Sequence, residues 1–334
     1  MTEGAPAARP LSQWVRRWGV SMASLGGGLL TLFVFRRDLP RASWIIGYVL
    51  LLWLLVAVLA QVREALETRG HGFVVGAADY AVQTLYHAIL LFLIPAYWAT
   101  VTVTSRNVVF LVVLVALALL ATFDPWYRAL VVPRAWATNV FFLASIFGAL
   151  NVALPLVGVS PRWALIVSAF VAVLGLTPTV RRRVPCSWAA AVSVMAIAAM
   201  TGAWLAFLGR AWIPPAPLSL GHGTIALGVR DGALYGPLPG VITATALREN
   251  GGLVAYTPIH APVGLRQPVA HVWRRRGQVV DVVTLTPVRG GRREGYRTFS
   301  RKSEFAPDPV GRWSVDVVTE SGQLIGRLRF KVTP

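Results

Sequence analysis

Residues 107–123 read NVVFLVVLVALALLATF, a run without a single charged side chain. As a helix such a run is apolar on every side, and a length near 18 residues matches the hydrocarbon thickness of a bilayer. Six further apolar runs are found at 19–35, 42–61, 73–98, 139–156, 163–179 and 187–208. The whole 334-residue chain is 55% hydrophobic and only 14% charged, with a mean hydropathy of +0.60. Soluble domains are about a quarter charged, so the composition points to a membrane protein. It excludes disorder and a collagen-like repeat. A disulfide framework is excluded too, because Cys186 has no second cysteine to pair with.

The first run follows Arg16 and Arg17 as a signal peptide would, but it ends in Phe35-Arg36-Arg37-Asp38 without a small-residue cleavage site. It reads as a retained span. Seven spans with the N-terminus inside place Arg9, Arg16, Arg17, Arg63, Arg69, Arg128, Arg134, Arg181, Arg182 and Arg183 in the cytoplasm. Arg36, Arg37, Arg41, Arg106 and Arg162 then lie on the opposite side, a two-to-one bias in the direction of the positive-inside rule. Eleven of the 13 tryptophans precede residue 215, and Trp18, Trp44, Trp98, Trp163, Trp188 and Trp212 fall near predicted helix ends, where an indole suits the headgroup layer.

After residue 208 the pattern changes. Trp212-Ile213-Pro214-Pro215-Ala216-Pro217 reads as an extended, proline-rich spacer, and beyond it the apolar period falls to two. Trp313, Val315 and Val317 share a face, a turn follows at Glu320-Ser321-Gly322, and Leu324, Leu328, Phe330 and Val332 alternate with Ile325, Arg327, Arg329 and Lys331. That is a hairpin with a basic outer face. A second hairpin turns around 275–277, and earlier strands are expected near 224–229, 241–247 and 253–259. The expected organisation is a cytoplasmic segment (1–17), a seven-span helical membrane domain (18–209), a linker (210–222) and an extracytoplasmic, immunoglobulin-like β-sandwich (223–334).

The stretches TPIHAPVGL, His271-Val272-Trp273, Tyr296 to Lys302, Gly311-Arg312-Trp313-Ser314-Val315 and Gly322 to Phe330 resemble the bacterial domain of unknown function 2914. VFRRDLPRASW, LYHAILLFLIP, FDPWY and ALNVALP resemble the multi-spanning domain of unknown function 5924 that precedes it in some bacterial proteins. The resemblance implies a bacterial inner-membrane protein. It brings no activity, ligand or catalytic residue.

Within the third run, Asp79, Gln83, Tyr86 and His87 fall in one helical sector. Ionisable groups inside a membrane face a bundle interior or a wet path, so this stripe is either a proton relay or polar ligand site, or a set of hydrogen bonds to neighbouring helices. Asn139, Asn151 and Asp124-Pro125 read as packing or capping devices, and Gly26-Gly27-Gly28 lacks the Lys-Ser/Thr of a phosphate loop. His71, His87, His222, His260 and His271 are not paired at metal-ligand spacing, and Ser300 lacks a nucleophile-elbow context; the expectation is no metal and no cofactor.

The net charge of +18 divides into +10 for residues 1–214 and +8 for 215–334. The first share is explained by topology; the second is not. Arg274, Arg275, Arg276, Arg292, Arg293, Arg297, Arg301, Lys302, Arg327, Arg329 and Lys331, with Trp273, Tyr296 and Phe299 nearby, suggest a surface for anions. An alternative is an arginine-rich solvated face, since Arg outnumbers Lys 30 to 2. The expected function is a non-enzymatic envelope protein. Its bundle sits in the lipid bilayer, and its β-domain binds anionic lipid headgroups, an envelope polymer or another envelope protein, not nucleic acid. A transporter or proton-coupled component built on the third-run stripe is the alternative, and a membrane-embedded enzyme for a lipid-linked substrate is a weaker one.

Overall fold

The computed structural model describes residues 51–59, 62, 66, 68–70, 72–230 and 233–334. The first expected span lies outside these residues, and the second is described only in part, as helix over 51–59. The other five expected spans all form helices. They are α1 (Gly72–Trp98), α2 (Val108–Thr122), α3 (Ala135–Leu156), α4 (Pro161–Leu174) with its continuation α5 (Thr177–Arg183), and α6 (Trp188–Leu208). Four described helices are long and apolar enough to cross a membrane: Phe73–Trp98, Ala135–Leu156, Pro161–Arg183 and Trp188–Trp212. A fifth is reached if Val108–Thr122 and Asp124–Val131, bent by 97°, form one broken span.

The run with the most uniform apolar composition thus makes a short helix. At 15 residues, α2 is only about 22 Å long. Its end is set by Pro125, which lacks the N–H that would continue the helix onto the Ala121 carbonyl. The chain leaves the helix at Phe123 (φ −98°, ψ 99°) and re-enters through a short turn and a π-helical stretch, Tyr127–Val131. Elsewhere the helices carry apolar side chains all round. In α6, Val192, Val194, Ile197, Met200, Trp204 and Leu205 are each at least 47% exposed, a surface that water does not tolerate and lipid does.

By internal contacts the chain forms two units. One comprises Met1–Pro95, Val112–Ala149 and Ala169–Met200, the other Ala96–Leu111, Leu150–Ser168 and Thr201–Pro334. In the first, Gly175 marks the break between α4 and α5. A Cβ there would come within 3.1 Å of the Phe142 ring and 3.2 Å of Trp53, whose indole nitrogen donates to the Gly175 carbonyl at 3.2 Å. In the second unit, the ends of three helical segments pack with an all-β domain.

Among the described residues the β-domain contains twelve strands and one short helix: β1 (Ser219–Leu220), β2 (Thr224–Arg230), β3 (Ala233–Pro237), β4 (Val241–Thr243), α7 (Ala244–Asn250), β5 (Leu253–His260), β6 (Arg266–Gln267), β7 (Val269–Arg275), β8 (Gln278–Thr284), β9 (Val288–Arg289), β10 (Tyr296–Lys302), β11 (Gly311–Thr319) and β12 (Leu324–Thr333). In the first sheet β5 pairs with β10 on one edge and with β1 and β2 on the other, and β3 adds beyond β2. The second sheet runs β4-β12-β11-β7-β8, antiparallel except for the parallel β4–β12 pair. β6 and β9 form a small ribbon.

Both sheets feed the same cores. Ile225, Leu253 and Ala255 from the first sheet are buried with Trp273, Trp313, Val315, Phe330 and Val332 from the second. A second cluster joins Leu218 and Ile259 to Val269, Val317 and Ile325. Trp313 stacks on Phe330 at 6.0 Å, and Trp273 meets the same ring edge-on at 6.2 Å.

Three details depart from simple alternation. The strand expected over 241–247 stops at Thr243, whose hydroxyl caps α7 by accepting from the Ala246 N–H at 3.2 Å; Gly251, at φ +64°, closes the helix. Ile325, expected on the polar face, is 2% exposed, because a bulge between Val317 and Val318 rotates it into the core. The segment expected as an extended spacer is packed: Pro214, Pro215 and Ala216 are buried. The turn at 275–277 is observed as expected, with Arg276 at φ 48° and Gly277 at φ 87°, the geometry of a two-residue hairpin turn.

Within this second unit the β11–β12 turn bonds to the helix ends. The Asn107 side chain donates to the Leu324 carbonyl (3.4 Å), Gln323 donates to the Ile213 carbonyl (3.1 Å), and Arg210 donates to the carbonyls of Ser321 and Phe207. Asn107 and Gln323 are each 1% exposed.

Because each core draws on strands before and after residue 260, the strands from β6 onward do not make a domain alone. We expect a fragment 213–334 to unfold cooperatively in urea as followed by circular dichroism, and a fragment 264–334 to show no cooperative transition. A cooperative transition in the shorter fragment would contradict this.

Candidate functional site

Two residues of the stripe on α1 bond to the neighbouring helix end. Gln83, 5% exposed, donates from Nε2 to Asp124 Oδ1 at 2.7 Å and to the Ala121 carbonyl at 3.0 Å. His87, also 5% exposed, meets the Thr122 hydroxyl through Nδ1 at 2.9 Å. Since that hydroxyl donates to the Ala118 carbonyl at 2.7 Å, the imidazole Nδ1 is the donor in the pair. Both groups therefore tie α1 to the broken end of α2, where the helix leaves carbonyls to be satisfied. Tyr86 is fully buried against Phe141, and its hydroxyl has no hydrogen-bond partner among the described residues. Asp79 is half-buried one turn nearer the start of the helix. Asn151 bonds to the Tyr97 hydroxyl at 3.1 Å, joining α3 to α1. Asp124, read from sequence among the packing or capping devices, is a partner of Gln83.

The basic residues of the β-domain divide among several surroundings. Arg274 and Arg327 converge on Asp316, which is 3% exposed. Arg274 Nε lies 2.9 Å from Oδ2; Arg327 grips both oxygens. The hydrogen bond to that carboxylate holds the Arg327 guanidinium above its already high pKa. Arg275 pairs with Asp308 at 3.0 Å and donates to the Val310 carbonyl, and this hydrogen-bonded setting holds the Asp308 carboxyl below its usual range, the Val310 N–H contributing most. Lys302 points inward, 6% exposed, onto Asp281 at 3.1 Å. Arg297 pairs with Glu294, and Arg301 lies near the carbonyls of Asn250 and Gly251; both are exposed on β10 in the first sheet.

Arg327 also belongs to a wider group of cations. Arg276, Arg312, Arg327, Arg329 and Lys331 line an open depression of about 720 Å³ on the outer face of the second sheet, with Gly240, Gly277, Trp313, Ser314 and Phe330. No Asp or Glu is in this lining. Arg312 was not singled out from sequence, yet its parity on β11, opposite that of Trp313, already put it on the outer face beside Ser314 and Asp316.

Between the sheets lies a buried polar chain that sequence spacing did not reveal. His271 Nε2 is 2.7 Å from Thr257 Oγ1 and its Nδ1 is 2.8 Å from Ser300 Oγ. Trp273 Nε1 donates to Ser300 Oγ at 3.0 Å, so the serine hydrogen goes to Nδ1. Thr298 donates to the Thr257 carbonyl, so the Thr257 hydroxyl donates to Thr298, both at 2.7 Å, and the imidazole donates from Nε2. Every hydrogen has one acceptor only if the ring is neutral. Desolvation accordingly pushes the His271 pKa down to about 4. The Ser300–His271 spacing matches a nucleophile–base pair, but with Ser300 3% and His271 0% exposed there is no room for a substrate. Among the described residues no three His, Cys, Asp or Glu side chains are grouped to hold a metal.

Apolar helices compatible with a membrane are followed by an all-β C-terminal domain with a basic outer face. The chain belongs to a family of unknown function, DUF5924, whose model matches residues 3–254; a second model, a protein of unknown function, DUF2914, matches 266–332. No curated protein and no solved structure matches. The first match ends inside β5, so the two matches meet within the β-domain: Ile225, Ile242 and Leu247 from the first share a core with Trp273, Trp313 and Phe330 from the second.

The His271 chain predicts a pH dependence. The unfolded histidine titrates near 6.5 and the folded one near 4, so its contribution is fully present above pH 6.5 and is lost as pH falls towards 4, by about 3 kcal/mol. We expect His271→Gln in fragment 213–334 to be less stable at pH 7 but to lose less stability between pH 7 and 4 than the parent. Equal losses in urea titrations at the two pH values would contradict this.

Proposed function

We propose that the chain is a seven-span, non-enzymatic protein of the bacterial inner membrane, with the N-terminus inside and an immunoglobulin-like β-sandwich outside, and that this domain holds an anionic component of the envelope. The observation that carries the reading is the depression lined by Arg276, Arg312, Arg327, Arg329 and Lys331 without a carboxylate. Orientation draws support from the loops. Arg69, Arg128, Arg134, Arg181, Arg182 and Arg183 lie at one set of helix ends; Arg106, Arg162 and Arg210 lie at the ends that share a unit with the β-domain. The transporter reading draws less support, because Gln83 and His87 are engaged at the break after α2.

A surface of this kind binds polyanions through released counterions and arginine forks, and its affinity falls with salt. The test is titration of the full chain, in phosphatidylcholine nanodiscs, with dextran sulfate. The reading predicts binding that weakens steeply between 50 and 300 mM NaCl and drops about tenfold in Arg312→Ser/Arg329→Ser. Absence of binding, or binding indifferent to salt and to both substitutions, would overturn it.

A further inference from the structure

The depression lies beside the helix ends. Arg329, on its floor, donates to the hydroxyl of Thr104 in the loop between α1 and α2. Within the same unit, the loop and the helix ends expose Trp98 (67%), Val103 (70%), Val157 (58%), Trp163 (57%) and Trp212 (46%). Arg106 lies over the Trp212 ring and Arg162 over the Phe207 and Trp163 rings. Indoles and arginines mixed with exposed apolar side chains mark the layer where lipid phosphates sit, a zone several ångströms thick. Two residues beyond Arg329 on the strand, or about 7 Å, comes Lys331, directly opposite Arg312.

The Arg312–Lys331 pairing is itself informative. Like charges facing each other across an antiparallel pair destabilise a sheet, and neither residue has a carboxylate partner among the described residues, whereas Arg274 and Arg327 share Asp316. Arg276 on the same rim donates to the Val310 carbonyl and lies within electrostatic reach of the exposed Asp308 carboxylate. The arrangement leaves several positive charges facing one open space, within a side chain's length of the headgroup layer. An anion entering there removes the repulsion and accepts from several donors at once.

We infer that this depression is a headgroup site for an anionic phospholipid, with the lipid phosphates held by Arg312, Arg329, Lys331 and Arg276 while the acyl chains lie against the exposed helix ends. This rests on the anion-binding reading above and narrows it to a lipid. Phosphodiesters fit because they present paired oxygens to arginine forks, and a headgroup with two phosphates meets more of the available cations than one with a single phosphate.

The experiment is native mass spectrometry of the full chain in neutral detergent, titrated with diphosphatidylglycerol or phosphatidylcholine, with glycerol 1-phosphate as competitor. The inference predicts preferential binding of diphosphatidylglycerol, weakened about tenfold in Arg312→Ser/Lys331→Ser and unchanged in Arg297→Ser/Arg301→Ser, which alters the first sheet instead. The depression variant should melt no lower than the parent, since it removes two opposed like charges, so a loss of binding is not a loss of fold. Equal binding of the two lipids, an equal loss in both variants, or displacement by glycerol 1-phosphate at the lipid's own concentration would overturn it. If those results coincide with retained salt-sensitive binding of dextran sulfate, the lipid assignment alone fails; if dextran sulfate binding is also absent, the anion-binding reading falls with it.

Discussion

The helices of this protein are apolar on the faces they show to their surroundings as well as on those they show to each other. In α6 the large side chains from Val192 to Leu205 stay at least 47% exposed in the folded chain, and no rearrangement of one helix covers them. A lipid environment satisfies that surface and also requires each helix to close its own backbone hydrogen bonds. That requirement makes the break after α2 a point of consequence. Where Pro125 interrupts the helix, polar groups appear at Ala121, Thr122 and Asp124, and Gln83 and His87 are placed to meet them. Two members of the stripe on α1, Gln83 and His87, thus meet the neighbouring helix end.

The β-domain follows a different rule. Its sheets are held by aromatic residues facing inward from β7, β11 and β12, and by the chain from Trp273 through His271 to Thr298 that joins the two sheets without leaving a donor unused. The outer faces are free to vary. On the second sheet that freedom is spent on charge: the β11–β12 register brings Arg312, Ser314 and Asp316 alongside Lys331, Arg329 and Arg327. Asp316 serves Arg327 and, from β7, Arg274, while Arg312, Arg329 and Lys331 line the depression with Arg276 and Arg327.

Much of this was legible in the sequence. Hydropathy located α1 to α6, and period-two alternation found both long hairpins and the inward faces of Trp313, Val315 and Val317. What escaped depended on the register and pairing of strands. The bulge that turns Ile325 inward exists only in the register with Val317 and Val318. Lys302 looks like one more surface cation until β10 pairs with β5 and aims it at Asp281. The gathering of Arg276, Arg312, Arg329 and Lys331 needed the hairpin turn of β7–β8 to fold beside β11. Arginines abundant throughout the chain gave no hint of which would share a site.

The account depends most on where the β-domain lies relative to the membrane, and the single cysteine allows this to be measured. Cys186 sits in the segment between α5 and α6, and Ser303 is an exposed residue of the β-domain. Membrane-impermeant maleimide applied to the outer side of intact membranes should label Ser303→Cys in a Cys186→Ser background and leave native Cys186 unlabelled until lysis. Labelling of Cys186 from outside, with Ser303→Cys protected, would contradict the account and place the basic face in the cytoplasm.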